Sequence, residues 1–189
     1  MNATVLQKIF SALAFAADKH RGQKRKDTLG SPYINHPIEV AERLVHFGVE
    51  DPNVLQAAVL HDTVEDTEAT EEDILVMFGN KVMSIVMELT DDKSLSKKER
   101  KQRLIEKSEK FSLEAKLVKL ADHTCNLHDI AVSTPRDWSD ERCMEYAFWS
   151  SEVIKNCRSV NEGLEKEYDR VHGLVLKKFS GINLHLTED

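Results

Sequence analysis

Residues 54–60, VLQAAVL, are apolar except for Gln56, and they run directly into His61 and Asp62, with Glu65 and Asp66 just beyond. A helix that is apolar nearly all round has to be wrapped by other elements. Ionisable groups at its end are costly to bury unless something pairs with them. The fold must therefore enclose one helix and supply, at its end, a partner for four titratable side chains.

The enclosing elements read as helices. Seven glycines and four prolines in 189 residues leave too few turns for an all-β fold. Periodicity predicts helices over residues 3–20, 37–47, 52–62, 71–78, 80–89, 97–110, 113–131 and 140–167, with a last piece to about 178. In the first, Leu6, Ile9, Phe10, Leu13 and Ala17 recur at helical spacing and form the expected core face. Helix 113–131 is expected to turn Leu113, Leu117, Leu120, Ala121, Thr124 and Leu127 inward. Pro37, Ser96, Ser139 and the pair Thr70 and Asp73 mark helix starts, and Gly48 and Gly79 mark stops. Residues 21–36 form a polar loop, and the tail from residue 180 has no clear assignment. With no internal repeat or linker, the expectation is one all-α domain spanning residues 1–189.

Several function classes are disfavoured. No stretch approaches the roughly 20 apolar residues of a membrane span. The segment IFSALAFAA, residues 9–17, reads as amphipathic helix rather than signal core, because Asp18, Lys19 and His20 follow at once. Cys125, Cys143 and Cys157 are odd in number and show no zinc-type spacing, so reduced helical thiols in a cytoplasmic protein are expected. A formal net charge of −7 argues against a general nucleic-acid binder. The basic residues are nonetheless grouped, at 19–26 and 97–103, which fits a positive cleft for a compact anion on an acidic body.

Neighbouring helical residues point about 100° apart, so His61 and Asp62 can grip one object only if it lies off the helix end. A divalent metal meets that condition, and imidazole and carboxylate both suit first-row cations. His36, held between two prolines in PYINHP, and Asp122, a charge within an apolar helix stretch, complete a candidate His/Asp ligand set. Asp122 by itself fits a buried ion pair with Lys119 or Arg142 equally well. Asn126 shares its helix face four residues on. Glu65 and Asp66, a turn beyond the pair, are placed to handle a proton at the open side of such a metal. Asp66 with Thr67 also reads as a helix-to-loop cap.

These residues resemble the hydrolase domain of the RelA/SpoT family, a branch of the HD-domain phosphohydrolases. The resemblance is carried by HRGQKRKDTLGSPYINHP, AAVLHDTVEDT, TDDK, ERK and KLVKLADHTCNL, and runs from about residue 10 to about 170. It points to the small stand-alone animal branch. The resemblance implies an all-helical HD fold and a Mn²⁺-dependent 3′-pyrophosphohydrolase acting on ppGpp and pppGpp. It also implies a second activity, removal of the 2′-phosphate of NADPH. It implies that His36, His61, Asp62 and Asp122 hold the metal and that Glu65 and Asp66 form the catalytic acid pair. Arg25, Lys26, Lys97, Asn126, Arg142 and Tyr146 match positions that contact the nucleotide. No nucleic-acid or membrane partner is expected. One segment departs from the pattern: His123 and His128 stand where relatives carry fixed positive charge, and a histidine is mostly neutral at pH 7.

Overall fold

The computed structural model describes residues 4–181. Its helices are α1 (Val5–Lys19), α2 (Asn35–His46), α3 (Pro52–Leu60), α4 (Thr63–Asp66), α5 (Glu71–Phe78), α6 (Asn80–Leu89), α7 (Lys97–Ser108), α8 (Leu113–Val132), α9 (Asp140–Lys155) and α10 (Glu162–Phe179). Among the described residues there is no strand, only one isolated bridge between Lys24 and Pro32. No helix among these residues is long and apolar enough to cross a membrane.

The apolar run behaves as its composition requires. Every residue from Val54 to Leu60 is buried, and α3 is enclosed by α1, α2, α6 and α8. Full burial of each large side chain there stabilises by about 1.5–3 kcal/mol. The second spine is α8, which packs on α2, α3, α6, α9 and α10. Its buried face includes Val118, Leu120, Ala121 and Leu127, but also Lys119, Asp122 and His123.

Local signals explain most boundaries. Ser96 and Glu99 form a reciprocal capping box at α7, and Thr70 and Asp73 form one at α5, with Asp serving in place of the usual Glu. Ser139 accepts the Arg142 N–H at 3.3 Å to open α9. Gly48 follows α2 with φ +80°, a conformation that side-chain-bearing residues rarely adopt. Helix α2 begins two residues earlier than Pro37, so His36 falls in its first turn. There the missing proline N–H costs nothing, since the first N–H groups of a helix lack internal partners.

Three expectations fail. Helix α1 is rotated relative to the face read from its large residues: Leu6 and Phe10 are 70% and 66% exposed, Ala17 is exposed, and Ala12 and Ala16 are fully buried. Small side chains at 12 and 16 let α1 pack closely on α3, where Gln56 Nε2 donates to Lys8 O at 3.2 Å, and contact won over size. Leu113, the first residue of α8, is 66% exposed. It sits ahead of the turn where Ala115 and Val118 begin to pack.

The third failure is larger. Residues 140–167 are not one helix: α9 stops at Lys155, and α10 begins at Glu162. Ser159 adopts φ +66° in the intervening turn, and Cys157 is buried there, off any helix. Asn161 caps α10 by accepting the Leu164 N–H at 3.0 Å, and its amide donates to Phe47 O at 2.9 Å. Glu165 Oε1 accepts the N–H groups of Val160 and Asn161 at 3.1 and 3.2 Å. A Cβ on Gly163 would lie 2.9 Å from the Phe47 ring, so only glycine lets α10 seat against it. The break turns α10 back along α9, where Ser150 Oγ meets Tyr168 OH at 2.9 Å.

Asn161→Ala removes both the cap and the tie to Phe47, and is expected to cost about 1–2 kcal/mol. Urea unfolding should show a lower midpoint with an unchanged slope, and Asn161→Asp, which keeps only the cap, should fall between.

Candidate metal centre and adjoining cleft

Helix α3 ends at Leu60, two residues short of the expected boundary, with His61 as its C-cap and Asp62 as the N-cap of α4. The chain thus changes direction between two consecutive candidate ligands, and both side chains aim at one point. His36, from the first turn of α2, meets them there. Ligand atoms of His36, His61 and Asp62 all lie within 4.8 Å of one another. Asp122, from the middle of α8, brings Oδ1 to 3.1 Å from His36 Nε2 and 3.9 Å from His61 Nε2.

The protonation chemistry fits a cation. His61 Nδ1 lies 2.8 Å from Ala58 O, which fixes the proton on that nitrogen and leaves Nε2 as the donor to a metal. His61 Nε2 is buried without a hydrogen-bond partner, although Asp62 Oδ2 is 3.1 Å away; His36 Nδ1 is also unpartnered. Burial alone would push the His61 pKa down, but Asp62 and then Asp122 outweigh it and raise it to about 9. Where no cation sits, a proton takes its place, so metal binding would release that proton. Burial opposes ionisation of Asp122, yet Lys119, His36 and His61 hold its carboxyl well below the usual carboxylate range.

The expected pairing alternative for Asp122 is present as well. The buried Lys119 ammonium donates to Asp122 Oδ2 at 3.2 Å, and Asn126 Nδ2 donates to Oδ1 at 2.6 Å. One oxygen is therefore tied to Lys119 while the other faces the histidines. Tyr33, within the same PYINHP motif as His36, was not singled out by sequence reasoning; its hydroxyl donates to Asp62 Oδ2. Burial and the Asp62 charge push the Tyr33 pKa far up, so it stays a donor.

Glu65 and Asp66 both line the ligand cavity. Glu65 Oε2 accepts the Asp91 N–H at 2.9 Å, and Arg100 Nη1 is 3.8 Å from Oε1. Burial raises the Glu65 pKa, against the Asp91 N–H and with the nearby carboxylates. Asp66 pairs with Lys93, and its carbonyl accepts from Gln23 Nε2 at 2.7 Å. Thr67 caps the C-terminus of α4, its N–H and hydroxyl both bonding Thr63 O, so the helix-to-loop reading holds for Thr67 while the Asp66 carboxylate is engaged by Lys93. The loop 21–34 is thus riveted to residues 62–66 at both ends, through Gln23 and Tyr33. Sequence offered one signal for the Asp91 and Lys93 contacts, the TDDK segment, but not which backbone group it would present.

The ligand cavity, about 190 Å³, is small for a nucleotide. It opens into two neighbours that share Tyr146 with it. One, about 330 Å³, is lined by Arg25, Lys26, Tyr33, Asn126, Asp129 and Trp138. Arg25 lies over the Tyr33 ring at 5.9 Å, with Nη2 3.4 Å from Asn126 Oδ1, and pairs with Asp129. The other, about 280 Å³, gathers Lys26, Lys97, Arg100, Lys101 and Arg142 against only Asp91 and Glu145. Arg142 lies 4.4 Å over the Trp138 ring and Lys101 5.0 Å over Trp149. Eleven of the twelve residues singled out in the sequence line one set of adjoining cavities; His61 is buried behind the lining and joins the site through Asp62 and Asp122. The two basic clusters contribute only in part, since His20 is buried against Tyr33 and Lys98 lines a separate surface hollow.

The HD-domain model matches residues 12–145. The chain belongs to the HD-domain family. This HD-domain chain is 51% identical over 164 residues to guanosine-3′,5′-bis(diphosphate) 3′-pyrophosphohydrolase MESH1 of Xenopus tropicalis, covering 86% of this chain and 92% of that one. To the human protein of that name it is 50% identical over 159 residues, covering 84% and 89%. The solved structure of a metazoan ortholog of SpoT, described as hydrolysing ppGpp, superposes with a TM-score of 0.86 at 44% identity, covering 94% of this chain and 97% of that one.

Within this HD domain, His123 is buried and hydrogen-bonded through Nδ1 to Ser150 Oγ at 2.8 Å, and burial pushes its pKa down to about 3. Residue 123 therefore adds no positive charge beside Asp122, in line with the sequence reading of His123, and Lys119 is the cation in contact with Asp122.

Asp62→Ala and Asp122→Ala should each lose bound divalent metal, measured by mass spectrometry after gel filtration. Tyr33→Phe should retain metal but weaken its affinity by about tenfold, the usual scale for a group that orients a ligand.

Proposed function

We propose that this chain is a divalent-metal-dependent 3′-pyrophosphohydrolase of guanosine alarmones, converting ppGpp to GDP and pyrophosphate and pppGpp to GTP and pyrophosphate. The observation that carries the reading is the convergence of His36, His61, Asp62 and Asp122 beside Glu65, with a cation-rich arm opening from the same cavity. The names of the MESH1 relatives support it. Mn²⁺ is the proposed ion, on the family resemblance; two imidazoles and two carboxylates suit a first-row divalent cation. A cation held there would supply Lewis-acid polarisation of the 3′-phosphoryl group.

The protein's own part follows from the charges. Water adds to the phosphorus attached to the ribose 3′-oxygen, and that P–O bond breaks. Pyrophosphate leaves with the water oxygen, and the ribose keeps a hydroxyl. Glu65 takes the water proton; its raised pKa brings it closer to the range in which a carboxyl can accept a proton and return it. Asp66, fixed through its carbonyl, shares the positioning of the water. Arg25 presents a flat guanidinium on which a purine can stack. Lys97 and Arg142 hold the remote phosphates, with Lys26 between the two arms and the Tyr146 hydroxyl at their junction. Asn126 keeps Asp122 and Arg25 in register.

A second reading, hydrolysis of the 2′-phosphate of NADPH, draws on the aromatic wall of the cationic arm. Trp138, Tyr146 and Trp149 form a surface against which a second ring system can lie. Both substrates place a phosphate on the ribose and further phosphates at a distance, so one cleft suits both.

Turnover of ppGpp, pppGpp and NADPH on one Mn²⁺-loaded preparation separates the readings by kcat/KM. Binding of ppGpp without turnover of any of the three would leave a nucleotide-binding protein instead. Glu65→Ala is expected to keep metal and lower kcat by about 10²–10⁴-fold, the range for a general base. The acid limb of the wild-type kcat profile should lie above the ordinary Glu range, because Glu65 must be ionised to accept the proton and burial holds its pKa up.

A further inference from the structure

The carboxylate of Glu65 is held by a segment that supplies no candidate metal ligand. Residues 90–96 link α6 to α7, and the Asp91 N–H within this link donates to Glu65 Oε2 at 2.9 Å. The link leaves α6 in extended conformation at Thr90, so helical hydrogen bonding does not fix Asp91. Lys107, in the last turn of α7, reaches back to it. Its ammonium donates to Thr90 O at 2.7 Å and lies 2.9 Å from Asp91 Oδ1.

Lys107 lines a hollow behind the link, shared with Asp91 and Arg100, and lines none of the three cavities of the proposed site. It therefore has no route to the substrate except through what it holds. A general base works only if one oxygen is kept within hydrogen-bond reach of the proton it takes. A carboxylate tied at one oxygen by a fixed N–H presents the other in a defined direction; one tied to a loose link does not.

We propose that Lys107 is a positioning residue for Glu65. By clamping the Thr90 carbonyl and the Asp91 carboxylate, it fixes the backbone N–H that aims the Glu65 side chain. The inference rests on the reading of Glu65 as proton acceptor.

The test uses the full-length, Mn²⁺-loaded chain with ppGpp. For Lys107→Met, kcat should fall about 10- to 100-fold, the scale of a small misplacement of a reacting group. KM should stay within about twofold, and metal content should not change. The acid limb of the kcat profile should move to higher pH, because the Asp91 N–H that lowers the Glu65 pKa is loosened. Lys107→Arg, which can reach both acceptors, should restore most of kcat. Asp91→Ala keeps the backbone N–H but removes one of the two points Lys107 holds; it should lower kcat in the same direction and serves if Lys107→Met fails to fold. Wild-type kcat in either Lys107→Met or Asp91→Ala overturns the proposal. So does a loss of activity that follows metal content or KM, or an acid limb that does not move in Lys107→Met. If wild type fails to turn over ppGpp, or Glu65→Gln retains full kcat, the functional reading itself fails, whatever Lys107 does.

Discussion

The structure turns on one buried carboxylate. Asp122 sits in the middle of α8, at the point where α2 and α3 reach that helix. Burying such a charge is costly unless every lone pair is met. Lys119 takes one oxygen, Asn126 and His36 share the other, and His61 stands just beyond. The packing of three helices and the assembly of the ligand set are thus one event: the helices cannot close without bringing the imidazoles to the carboxylate. The remaining imbalance, two carboxylates against one buried ammonium, is what a divalent cation or a proton on His61 relieves.

Outside this centre, charge is sorted by direction. The arm through Arg25 is nearly neutral, because Asp129 answers the guanidinium and Tyr33 lies under it. The arm through Lys97 and Arg142 keeps its positive charge, with Trp rings under two of the cations in place of carboxylates. A ligand that is aromatic at one end and polyanionic at the other therefore has one favourable orientation, although the chain as a whole carries a formal charge of −7. Net charge says little about a cleft whose walls are drawn mainly from a polar loop and helices α7, α8 and α9.

Much of this was legible in the sequence, for physical reasons that can be named. The run into His61 and Asp62 was readable because an apolar helix ending in charge has few solutions, and Asp122 because charge is rare inside an apolar stretch. Helix starts at Ser96 and Thr70 were readable because a cap is local chemistry. The turn at 156–161 was not, since it depends on Asn161 reaching Phe47, more than a hundred residues away, and on Gly163 making room for that ring. Likewise Ala12 and Ala16 outrank Leu6 and Phe10 because α1 packs on α3 through its small residues, a choice made by the partner helix and not by side-chain size. The hold of Asp91 on Glu65 is made by a backbone N–H, which no residue type announces.

The junction between α3 and α4 has one more implication. A single peptide unit sets the bite between His61 and Asp62, and their orientations change together. An extra residue inserted there would swing both donors off target at once. The stretch between α8 and α9, which carries Pro135 and Trp138 into the cleft wall, is held differently, by the Arg136 N–H donating to Lys26 O at 3.4 Å and the Arg136 guanidinium to Thr28 O. Ion retention and the choice of guest meet at Tyr33 and Asn126, each of which touches a candidate ion ligand on one side and Arg25 on the other, so a change at either position is felt by ion and guest alike.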